Sequence, residues 1–355
     1  MRILALPRYD RLGASSRLRF FDFLPGLAAA GIAVRVAPFF DDAYLQRQYA
    51  GLGPDRRAVA GRYARRLAVL AGRRRHDLLW IEKEALPFLP LAVERAALSG
   101  VPYVLDFDDA WHERYEAHPN PAVRRLLADK LARLAGAAAA VLVGNGNLED
   151  WARRAGARRV VRLPTPVDLA RYPDRPPPAD GFRLGWIGTP SSAAHLALLA
   201  EPLRRLAAEG PLTLVTIGAA PVALPGVPEE FHPWSSEAEG ALLATLHAGI
   251  MPLADTPFTR GKSGYKLIQY MAAGRAAIGS PVGENALIVR PEETGLLPGT
   301  ETEWLEALRR LRKDPAQCLR LGRAGRAEAA ARFDLAVLAP RLAETLRAAA
   351  DAPPG

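Results

Sequence analysis

Cysteine is almost absent from this sequence of 355 residues, and its scarcity narrows the class of protein. A single cysteine, Cys318, excludes a disulfide within the chain and a zinc site built from several cysteines. The chain also lacks the run of roughly 18 apolar residues that a membrane-spanning helix needs. Its first seven residues predict a strand rather than the apolar core of a secretion signal. We therefore expect a cytoplasmic protein, because disulfides are rare in reducing compartments.

Lysine is the second scarce residue type, with five lysines among 47 basic residues. The formal net charge is +9, but the arginines are spread along the chain without interleaved aromatic residues, so we expect no nucleic-acid partner. One denser cluster, residues 62–75, contains six arginines around Leu67 and Leu70 in a predicted helix. We interpret this basic segment as a solvated helix face. The alternative is peripheral contact with the inner face of an anionic membrane.

Short apolar segments alternate with helical ones along the chain, which is typical of a parallel sheet covered on both faces. The predicted strands are residues 3–7, 33–38, 78–82, 103–106, 139–143 and 160–163 in the first half, and 184–187, 212–217, 249–252 and 276–279 in the second. Glycines end the predicted helices 16–30, 87–99 and 147–155 as C-terminal caps. The sequence thus predicts an α/β fold with two Rossmann-like, doubly wound parallel-sheet domains.

A proline-rich stretch, residues 173–181, divides the two halves, because it can continue neither a helix nor a central strand. We interpret it as a semi-rigid linker between an N-terminal domain, residues 1–172, and a C-terminal domain, residues 182–333. Residues 334–355 form a helical tail. In open parallel sheets, ligands bind beyond the carboxyl ends of the strands, so we expect the chemistry in the loops there.

Two of the five lysines, Lys262 and Lys266, lie only four residues apart in the segment Arg260–Gly274. A chain that uses arginine almost everywhere else keeps a compact ammonium group at both positions. Lysine is disfavoured at a helix N-terminus, because it adds to the positive end of the helix dipole. The pair therefore predicts a bound anion such as a diphosphate, and the alternative is a surface loop with two solvated lysines.

The helix in this segment has recognisable ends. We predict Ser263 as its N-terminal cap and Gly274 as its C-terminal cap. The backbone amides of Gly264 and Tyr265 are then available to the same anion.

The segment from Lys262 to Gly274 and the turn that follows it, residues 278–285, resemble the donor site of the retaining family 4 glycosyltransferases. The likeness runs through nearly the whole chain. Residues 13–17 match the small-residue loop after the first strand, and residues 186–191 match the opening of the C-terminal domain.

The resemblance implies a GT-B fold, in which two domains face a cleft and the C-terminal helix crosses back to the N-terminal, acceptor-side domain. It also implies transfer of a sugar from a nucleotide-diphosphate sugar, with retention of the anomeric configuration. Outside residues 106–109 the sequence has no Asp-x-Asp motif in a metal-binding context, so we expect no metal or other cofactor. The positions that match the donor site are Gly13, Arg17, Gly188, Thr189, Lys262, Ser263, Gly264, Tyr265, Lys266, Gln269, Glu284 and Asn285.

One departure from the family pattern concerns its Glu-x7-Glu signature. The two signature positions hold Gly261 and Gln269, so neither carboxylate is present. Gln269 can still hydrogen-bond a ribose hydroxyl, whereas the acid that contacts the donor sugar must come from elsewhere. The candidates are Asp255 before the signature and Glu284 after it.

A cluster of three carboxylates and a histidine, Asp106–His112, follows a strand whose carboxyl end should carry ligands. We predict catalytic roles for Asp108, Asp109 and His112; the alternative is a solvated loop whose aspartates cap a helix. Glu82-Lys83-Glu84 after the preceding strand is a second candidate, from which we select Glu84.

Two further segments, one aromatic and one rich in glycine, are candidates for ligand binding. Trp234 resembles a residue of the segment that holds the nucleobase in this family, and core packing is the alternative. The segment Gly144–Glu149 superficially suggests a dinucleotide fingerprint, but its third glycine is missing. We interpret Asn147 there as a helix cap.

The sequence therefore predicts a glycosyltransferase with an unidentified acceptor, such as a glycan, a lipid-linked sugar or a cell-envelope precursor. Two other functions stay open. A nucleotide-sugar epimerase of the same fold would use the donor without an acceptor, and a catalytically weakened nucleotide-sugar binding protein would explain the missing carboxylates.

Overall fold

The computed structural model describes residues 1–53, 55–179, 181–218 and 220–353. Its residues divide by mutual contacts into two units. Unit 1 comprises Met1–Pro166, Gly261–Ser263 and Leu335–Gly355, and unit 2 comprises Val167–Arg260 and Gly264–Asp334. None of the helices within the described residues combines the length and the apolar character that crossing a membrane requires.

A parallel sheet forms the centre of unit 1. Its strands are β1 (Arg2–Leu6), β2 (Ala33–Val36), β3 (Leu78–Glu82), β4 (Tyr103–Phe107), β5 (Ala140–Val143) and β6 (Val160–Arg162). They lie in the order β2-β1-β3-β4-β5-β6. Every residue of β3 and β4 is buried, as expected for central strands covered on both faces. The first-half strands are confirmed to within two residues at each end.

Helices flank this sheet. They are α1 (Ala14–Ser16), α2 (Leu24–Ala29), α3 (Asp42–Tyr49), α4 (Arg56–Ala71), α5 (Leu91–Leu98), α6 (Glu113–Glu116), α7 (Pro121–Leu127), α8 (Lys130–Ala137) and α9 (Gly146–Arg154). Gly31, Gly100 and Gly156 follow α2, α5 and α9 with left-handed backbone, which confirms the predicted glycine caps.

Two predicted helices of unit 1 differ from the structure. The single helix expected over residues 16–30 is interrupted by a π-helical turn, Arg17–Phe21, before α2 begins. The helix expected from Pro87 starts later, because Phe88 has a left-handed backbone (φ 57°) and Pro90 directly precedes α5. The apolar pattern continues through the π-helical turn, so the sequence alone does not reveal it, whereas Pro90 is a visible signal for the later start of α5.

Unit 2 contains a second parallel sheet. Its strands are β7 (Arg183–Gly188), β8 (Thr213–Gly218), β9 (Glu229–Pro233), β10 (Ala248–Met251), β11 (Ala276–Gly279) and β12 (Gly295–Leu296). They lie in the order β12-β11-β10-β7-β8-β9. The sequence predicted four of these strands and missed β9 and β12. The strand β9 is only partly buried and carries two glutamates, and β12 is two residues long, so neither shows a clear apolar pattern.

The helices of unit 2 are α10 (Pro190–Ala193), α11 (Ala200–Glu209), α12 (Glu239–Leu243), α13 (Pro257–Arg260), α14 (Tyr265–Ala272), α15 (Asn285–Ile288), α16 (Glu301–Lys313) and α17 (Pro315–Arg332). A 3-10 segment, Ala194–Leu199, leads directly into α11. Gly274 follows α14 with left-handed backbone, as predicted.

The C-terminal helix α18 (Leu335–Ala350) returns to unit 1. Its buried residues Leu338, Leu342 and Leu346 belong to the same apolar core as Phe20 and Phe23. This contact requires a small residue at position 26 in α2, since a Cβ there would lie 2.7 Å from Ala339 Cβ. The helical tail therefore packs in the unit that contains the N-terminus, as the sequence predicted.

The proline-rich linker lies in unit 2. Tyr172 before it and Phe182 after it are both buried in the apolar cores of that unit. Asp180 lies outside the described residues. The division by contacts falls between Pro166 and Val167, and the domain bounds given by the sequence stay a prediction.

Candidate active site

The carboxyl ends of β3 and β4 carry the polar groups of the first candidate site, in unit 1. Glu82 is the last residue of β3, and Lys83 follows it directly. Asp108 and Asp109 follow β4. Because β3 and β4 are neighbouring parallel strands, their carboxyl ends lie at the same edge of the sheet. The topology therefore brings Lys83 and the two aspartates together.

Lys83 lies at the centre of this cluster. Its Nζ atom lies 2.9 Å from Asp108 Oδ1 and 3.3 Å from Asp109 Oδ1. It also lies 3.4 Å from Ser15 Oγ and 3.7 Å from Glu82 Oε1. The lysine side chain is 3% exposed, whereas the side chains of Asp108 and Asp109 are 17% and 29% exposed. The Lys83 cluster, as we call these five residues, is thus accessible through its aspartates.

The two aspartates differ in their acidity. Burial raises the pKa of Asp108, but the charge of Lys83 and hydrogen bonds from Ser15 and Lys83 bring it below its ordinary range. For Asp109, burial outweighs the charge of Lys83, and the charge of Asp108 adds to it, so the pKa lies above the ordinary range. Such a pair of neighbouring carboxyl groups with opposite pKa shifts is typical of sites that move protons or stabilise charge.

Lys83 itself remains an ammonium ion. Burial lowers its pKa, but the charges of Asp108, Asp109 and Glu82 more than compensate, so the pKa lies above its ordinary value. The lysine also has a left-handed backbone (φ 64°), which is rare for a residue with a long side chain.

Glu82 connects the loop after β1 to this cluster. Its Oε1 atom accepts a hydrogen bond from Ser15 Oγ at 2.9 Å. Its Oε2 atom accepts hydrogen bonds from Ser16 Oγ at 2.5 Å and from the Arg8 backbone amide at 2.7 Å. The carboxylate is thereby satisfied in a fully buried place. It holds the loop after β1 beside Lys83.

The two residues that the sequence singled out in the loop after β1 have local contacts. A Cβ on Gly13 would collide with the side chain of Tyr9, so this tight turn requires glycine. Arg17 is buried and donates a hydrogen bond to the Arg11 carbonyl at 3.2 Å. Their donor-binding roles stay predictions.

Glu84 lies deeper in unit 1 than the sequence suggested. Its side chain is fully buried and accepts hydrogen bonds from Tyr115 Oη at 2.8 Å and from Lys130 Nζ at 2.7 Å. Trp111 Nε1 donates a third, at 3.3 Å. Lys130 also pairs with Glu94 at 2.8 Å, so the two glutamates share one buried ammonium ion. These contacts describe a carboxylate that holds the unit together, and the catalytic role of Glu84 stays a prediction.

His112 is buried and stacks on the ring of Trp151, with a centroid separation of 4.5 Å and an interplanar angle of 12°. Burial lowers the pKa of this histidine to about 4, and the charge of Arg154 contributes. The imidazole is therefore neutral near neutral pH, and its two ring nitrogens can donate one hydrogen bond and accept another.

A metal ion could find ligands near this histidine. The ligand atoms of His112, Glu113 and Glu116 lie within 4.8 Å of one another in the described part of the chain. Glu116 is exposed, and exposed carboxylates often group in this way without a metal. The grouping therefore assigns no metal, and the expectation of metal-independent chemistry stays a prediction.

The short segment Gly261–Ser263 groups with unit 1 and borders the Lys83 cluster. Its backbone is fixed by Asn145, whose Nδ2 atom donates to the Gly261 carbonyl at 2.8 Å, and the Ser263 hydroxyl donates to the Asp108 carbonyl. A Cβ on Gly261 would collide with Ala110. The first position of the family's Glu-x7-Glu signature therefore has no room for a side chain here.

Two helix caps predicted in these segments are wrong. Ser263 does not cap α14, because its hydroxyl is bound to the Asp108 carbonyl, and the N-cap of α14 is Gly264 with left-handed backbone. Asn145, and not Asn147, caps α9 through a hydrogen bond from the Leu148 amide at 2.9 Å. The observed caps lie one residue after Ser263 and two residues before Asn147, so turn geometry and not residue type alone selects them.

Lys262 lies in the same segment, close to the aspartates. Burial lowers the pKa of Lys262, while the charges of Asp109 and Asp108 act in the opposite direction and Lys83 adds repulsion. Lys262 is half-buried, and the two carboxylates already offset part of its charge, which weakens its attraction for an incoming anion. The predicted diphosphate contact of Lys262 stays a prediction.

The N-terminus of α14 forms the second candidate site, in unit 2. Lys266 lies in the first turn of this helix, with its Nζ atom 5.6 Å from the centre of the Trp186 ring on β7. This distance is typical of a cation–π contact. Gly188, after Trp186, would crowd that ring and Ser192 if it carried a Cβ. Thr189 is the N-cap of α10.

Polar side chains in unit 2 also fix Trp234. Its indole Nε1 donates to Glu239 Oε2 at 2.7 Å, and Tyr172 Oη donates to Glu239 Oε1 at 2.7 Å. A further hydrogen bond joins Tyr172 to Gln269, the second signature position. Sequence reasoning found Trp234 and Gln269 but missed Glu239 and Tyr172, because no local motif marks these two residues.

The residues considered as replacements for the missing acid have different surroundings. Asp255 is exposed and forms two hydrogen bonds with Arg260, at 2.6 and 2.9 Å, which hold its pKa below the ordinary range. Glu284 is buried at the N-cap position of α15. Asn285 is buried and donates from Nδ2 to the Ser280 carbonyl at 3.1 Å. Of the two acids, Glu284 is thus the one held inside unit 2.

Comparison with known proteins gives a family match for part of the chain. Residues 181–314 match the family described as glycosyl transferases group 1. No curated protein matches the sequence. The chain is similar to Anabaena HepE in complex with UDP-glucose, with a TM-score of 0.72 and 18% identity over 98% of this chain and 99% of that chain.

Two further solved structures share this architecture. Sucrose-phosphate synthase from Thermosynechococcus elongatus has a TM-score of 0.71 and 16% identity, over 98% of either chain. A glycosyltransferase from Rickettsia africae has a TM-score of 0.69 and 11% identity, over 99% of this chain and 98% of that chain. At such identities the likeness shows the fold, which is the α/β GT-B fold of two parallel six-stranded sheets. Together with the family match, it supports a glycosyltransferase.

Proposed function

We propose that the chain transfers a sugar from a nucleotide-diphosphate sugar to an acceptor hydroxyl, with retention of the anomeric configuration. The observation that carries this proposal is the Lys83 cluster. It holds two carboxyl groups of different acidity, partly exposed, at the carboxyl edge of a parallel sheet. The family match of residues 181–314 supports the donor class, and the UDP-glucose complex of Anabaena HepE makes UDP-glucose the first donor to test.

In this proposal the donor diphosphate binds to the α14 segment. Lys262, Lys266 and the backbone amides of Gly264 and Tyr265 stabilise the charge that develops as the diphosphate separates from the sugar. No step then requires a metal ion, since the ammonium groups and the helix N-terminus take its place.

Asp108, Asp109 and His112 act on the sugar and acceptor in the same proposal. Asp108 is held as an anion and can stabilise positive charge that develops on the donor sugar. Asp109, with its raised pKa, and the neutral His112 can exchange a proton with the acceptor hydroxyl. The acceptor is a glycan, a lipid-linked sugar or a cell-envelope precursor, reached from the cytoplasm.

Retention can be tested without knowing the acceptor. The protein is first screened by thermal unfolding with UDP-, GDP-, ADP- and TDP-sugars, because a ligand of the folded state raises the melting temperature. The donor that binds is then incubated alone, and the anomer of the released sugar is observed by proton NMR before it mutarotates. Release of the α-anomer from an α-linked donor is expected. Release of the β-anomer would contradict retention.

A second function is favoured by one observation. The signature carboxylates are replaced by Gly261 and Gln269, and position 261 has no room for a side chain. A catalytically weakened nucleotide-sugar binding protein would tolerate both changes. Tight donor binding, with neither transfer to any acceptor pool nor hydrolysis of the donor, would favour this function over the transferase.

A further inference from the structure

Two lysines of unit 1 are buried, and their surroundings differ. Lys130 is fully buried between Glu84 and Glu94, whose side chains are fully buried as well. Lys83 is equally enclosed, but its partners Asp108 and Asp109 reach the surface. A fully enclosed ion pair can stabilise only the fold, whereas an enclosed cation behind two accessible carboxylates also controls groups that a ligand can touch.

The backbone at Lys83 adds a second observation. Its left-handed conformation (φ 64°) is costly for a residue with a long side chain, and glycine would adopt it without strain. The Lys83 amide donates to the Asp106 carbonyl at 3.1 Å, and the Glu84 amide donates to the Glu82 carbonyl at 2.6 Å. A tight turn therefore ends β3 at Lys83, and it retains a charged side chain where glycine would be easier to accommodate.

We infer that Lys83 is a positioning residue for the proposed transfer, which fixes the side chains of Asp108 and Asp109 and keeps the pair charged at the open edge of unit 1. This inference rests on the proposed function for its purpose. The observed contacts explain how Lys83 would act, because its one ammonium group lies 2.9 Å from Asp108 Oδ1 and 3.3 Å from Asp109 Oδ1. Lys83 does not need to touch the substrate to act in this way.

The charges around Lys83 support this role. Glu82 on β3 and the two aspartates after β4 face it as anions, and Lys262 faces the aspartates as a second cation. Arg19, before α2, adds a weaker attraction for Asp108. The Ser15 hydroxyl lies within hydrogen-bonding reach of both Glu82 and Asp108 and can donate its one proton to either carboxylate. Arg8 and Arg66 also attract Glu82. Without Lys83, the two aspartates would lose the ammonium group that lies 2.9 and 3.3 Å from them, and their pKa values would rise.

Two substitutions separate the charge of Lys83 from its backbone. Lys83→Asn removes the ammonium but tolerates left-handed backbone better than most residues, so it limits unfolding. Lys83→Arg keeps the charge while changing the length and shape of the group. Lys130→Met is the matched control, because it removes the other buried lysine of the unit. Thermal unfolding of each purified variant shows which of them remain folded at the temperature of the next measurement.

The primary measurement does not depend on catalysis. Aspartate is labelled with carbon-13 at the side-chain carboxyl, the Asp108 and Asp109 signals are assigned through Asp108→Asn and Asp109→Asn, and both are titrated by NMR. In Lys83→Asn we expect both apparent pKa values to rise by about 1–3 pH units. Lys83→Arg should restore most of this change. Lys130→Met should lower the melting temperature and leave both titrations as in the wild type.

Two outcomes would overturn the inference. One is an unchanged titration of both aspartates in folded Lys83→Asn, and the other is the same shift in Lys130→Met as in Lys83→Asn. Turnover of UDP-glucose against pH is the second measurement. We expect the acid limb of the turnover rate, and not the KM for UDP-glucose, to move in Lys83→Asn. If wild-type protein neither hydrolyses nor transfers any donor sugar, the proposed function fails while the NMR titration still decides the role of Lys83.

Discussion

The candidate sites of the two units hold their charged groups in contrasting ways. In unit 1, Asp108 and Asp109 lie beside each other on one ammonium group, that of Lys83, and both are partly exposed. Neighbouring carboxylates repel each other, so such a pair costs stability and persists where a function requires it.

In unit 2, the buried carboxylate of Glu239 has hydrogen-bond donors and no neighbouring lysine as its described side-chain partners. Glu239 is buried and accepts one hydrogen bond from Trp234 and one from Tyr172, both at 2.7 Å. Each oxygen thus holds an aromatic side chain in place. Under the proposed function, the Lys83 cluster is expected to supply charge for the reaction, and the surroundings of Trp234 are expected to supply a fixed surface for the nucleotide. Substitutions in the Lys83 cluster should then change turnover, and substitutions in the segment Arg260–Gly274 should change the affinity for the diphosphate.

The strongest test of this division is Asp109→Asn. The substitution keeps the shape of the side chain and removes its carboxyl group, so we expect turnover of the cognate donor to fall by about 10²–10⁴-fold. The affinity for the nucleotide diphosphate should remain nearly unchanged, because the proposed function assigns the diphosphate to the segment Arg260–Gly274 and not to Asp109. Steady-state kinetics and calorimetry with the diphosphate measure the two quantities separately.

A surface aspartate provides the control. Asp129 belongs to the same unit, its side chain is 67% exposed, and it pairs with Arg133. Asp129→Asn should retain wild-type turnover and affinity. The comparison between the units breaks down if Asp109→Asn abolishes diphosphate binding or turns over at the wild-type rate.

Affinity is tested by Lys262→Ala and Lys266→Ala. We expect each substitution to weaken diphosphate binding by about 1–3 kcal/mol, the range for loss of a charge-assisted hydrogen bond. Lys262 groups with unit 1 and Lys266 belongs to unit 2. The two variants therefore show how much each unit contributes to diphosphate affinity. Calorimetry with UDP, GDP, ADP and TDP gives both values.

The control for these two variants is Lys313→Ala, at the exposed end of α16. It should bind the diphosphate like the wild type. A loss only in Lys266→Ala would assign the diphosphate to unit 2 alone. Unchanged affinity in both lysine variants would remove the pair from the donor site.

Most of the fold could be predicted from the sequence, because each buried parallel strand appears in it as a short run of apolar residues. The strand Leu78–Glu82 and the strand Ala276–Gly279 were predicted with their observed ends. The elements that were missed or misplaced depend on contacts between distant residues. The π-helical turn at Arg17–Phe21 and the partly exposed strand Glu229–Pro233 have no local pattern of their own.

The candidate site could be predicted only in part, for a similar reason. The motif after β4 pointed to Asp108 and Asp109, but nothing in the sequence shows which residue of Glu82-Lys83-Glu84 will face them. In a strand that residue would follow from alternation, yet the left-handed turn at Lys83 breaks the alternation. The same limit applies to Gly261. The need for glycine there becomes visible only in the structure, where a Cβ would collide with Ala110.

A smaller effect is expected from pH through His112. Burial holds the pKa of this histidine at about 4 in the folded chain, below its ordinary value of 6.5. The unfolded state therefore binds a proton between these values that the folded state does not. The free energy of unfolding should decrease as pH falls from about 6.5 towards 4, and this contribution is fully present above pH 6.5.

Urea unfolding at pH 7 and pH 5 measures this contribution. The stability lost between the two pH values should be smaller in His112→Gln than in the wild type, whereas His118→Gln, on the surface beside Phe88, should behave like the wild type. Equal losses in the wild type and His112→Gln would show that His112 is not shielded from water as its contact with Trp151 suggests.

The smallest effect concerns the basic segment of unit 1, residues 62–75, whose arginines do not all face solvent. Arg66 is buried, with Nη2 donating to the Pro7 carbonyl, and Arg62 pairs with Asp41 at 2.8 Å. Arg65 and Arg75 are exposed. Leu67, which lies between them in the sequence, is 43% exposed. Each exposed charge should add about 1 kcal/mol to binding at an anionic lipid surface.

Flotation with vesicles of phosphatidylcholine, with and without phosphatidylglycerol, tests this contact at low and high salt. The wild type should float with the anionic vesicles at low salt, and the double variant Arg65→Gln, Arg75→Gln should float less. The control variant Arg205→Gln, Arg323→Gln removes the same charge from exposed positions of unit 2. If both variants float equally, net charge and not this segment governs the contact. Equal recovery of the wild type with neutral and anionic vesicles would instead identify the segment as a solvated helix face, because a lipid contact through arginine requires anionic headgroups and weakens with salt.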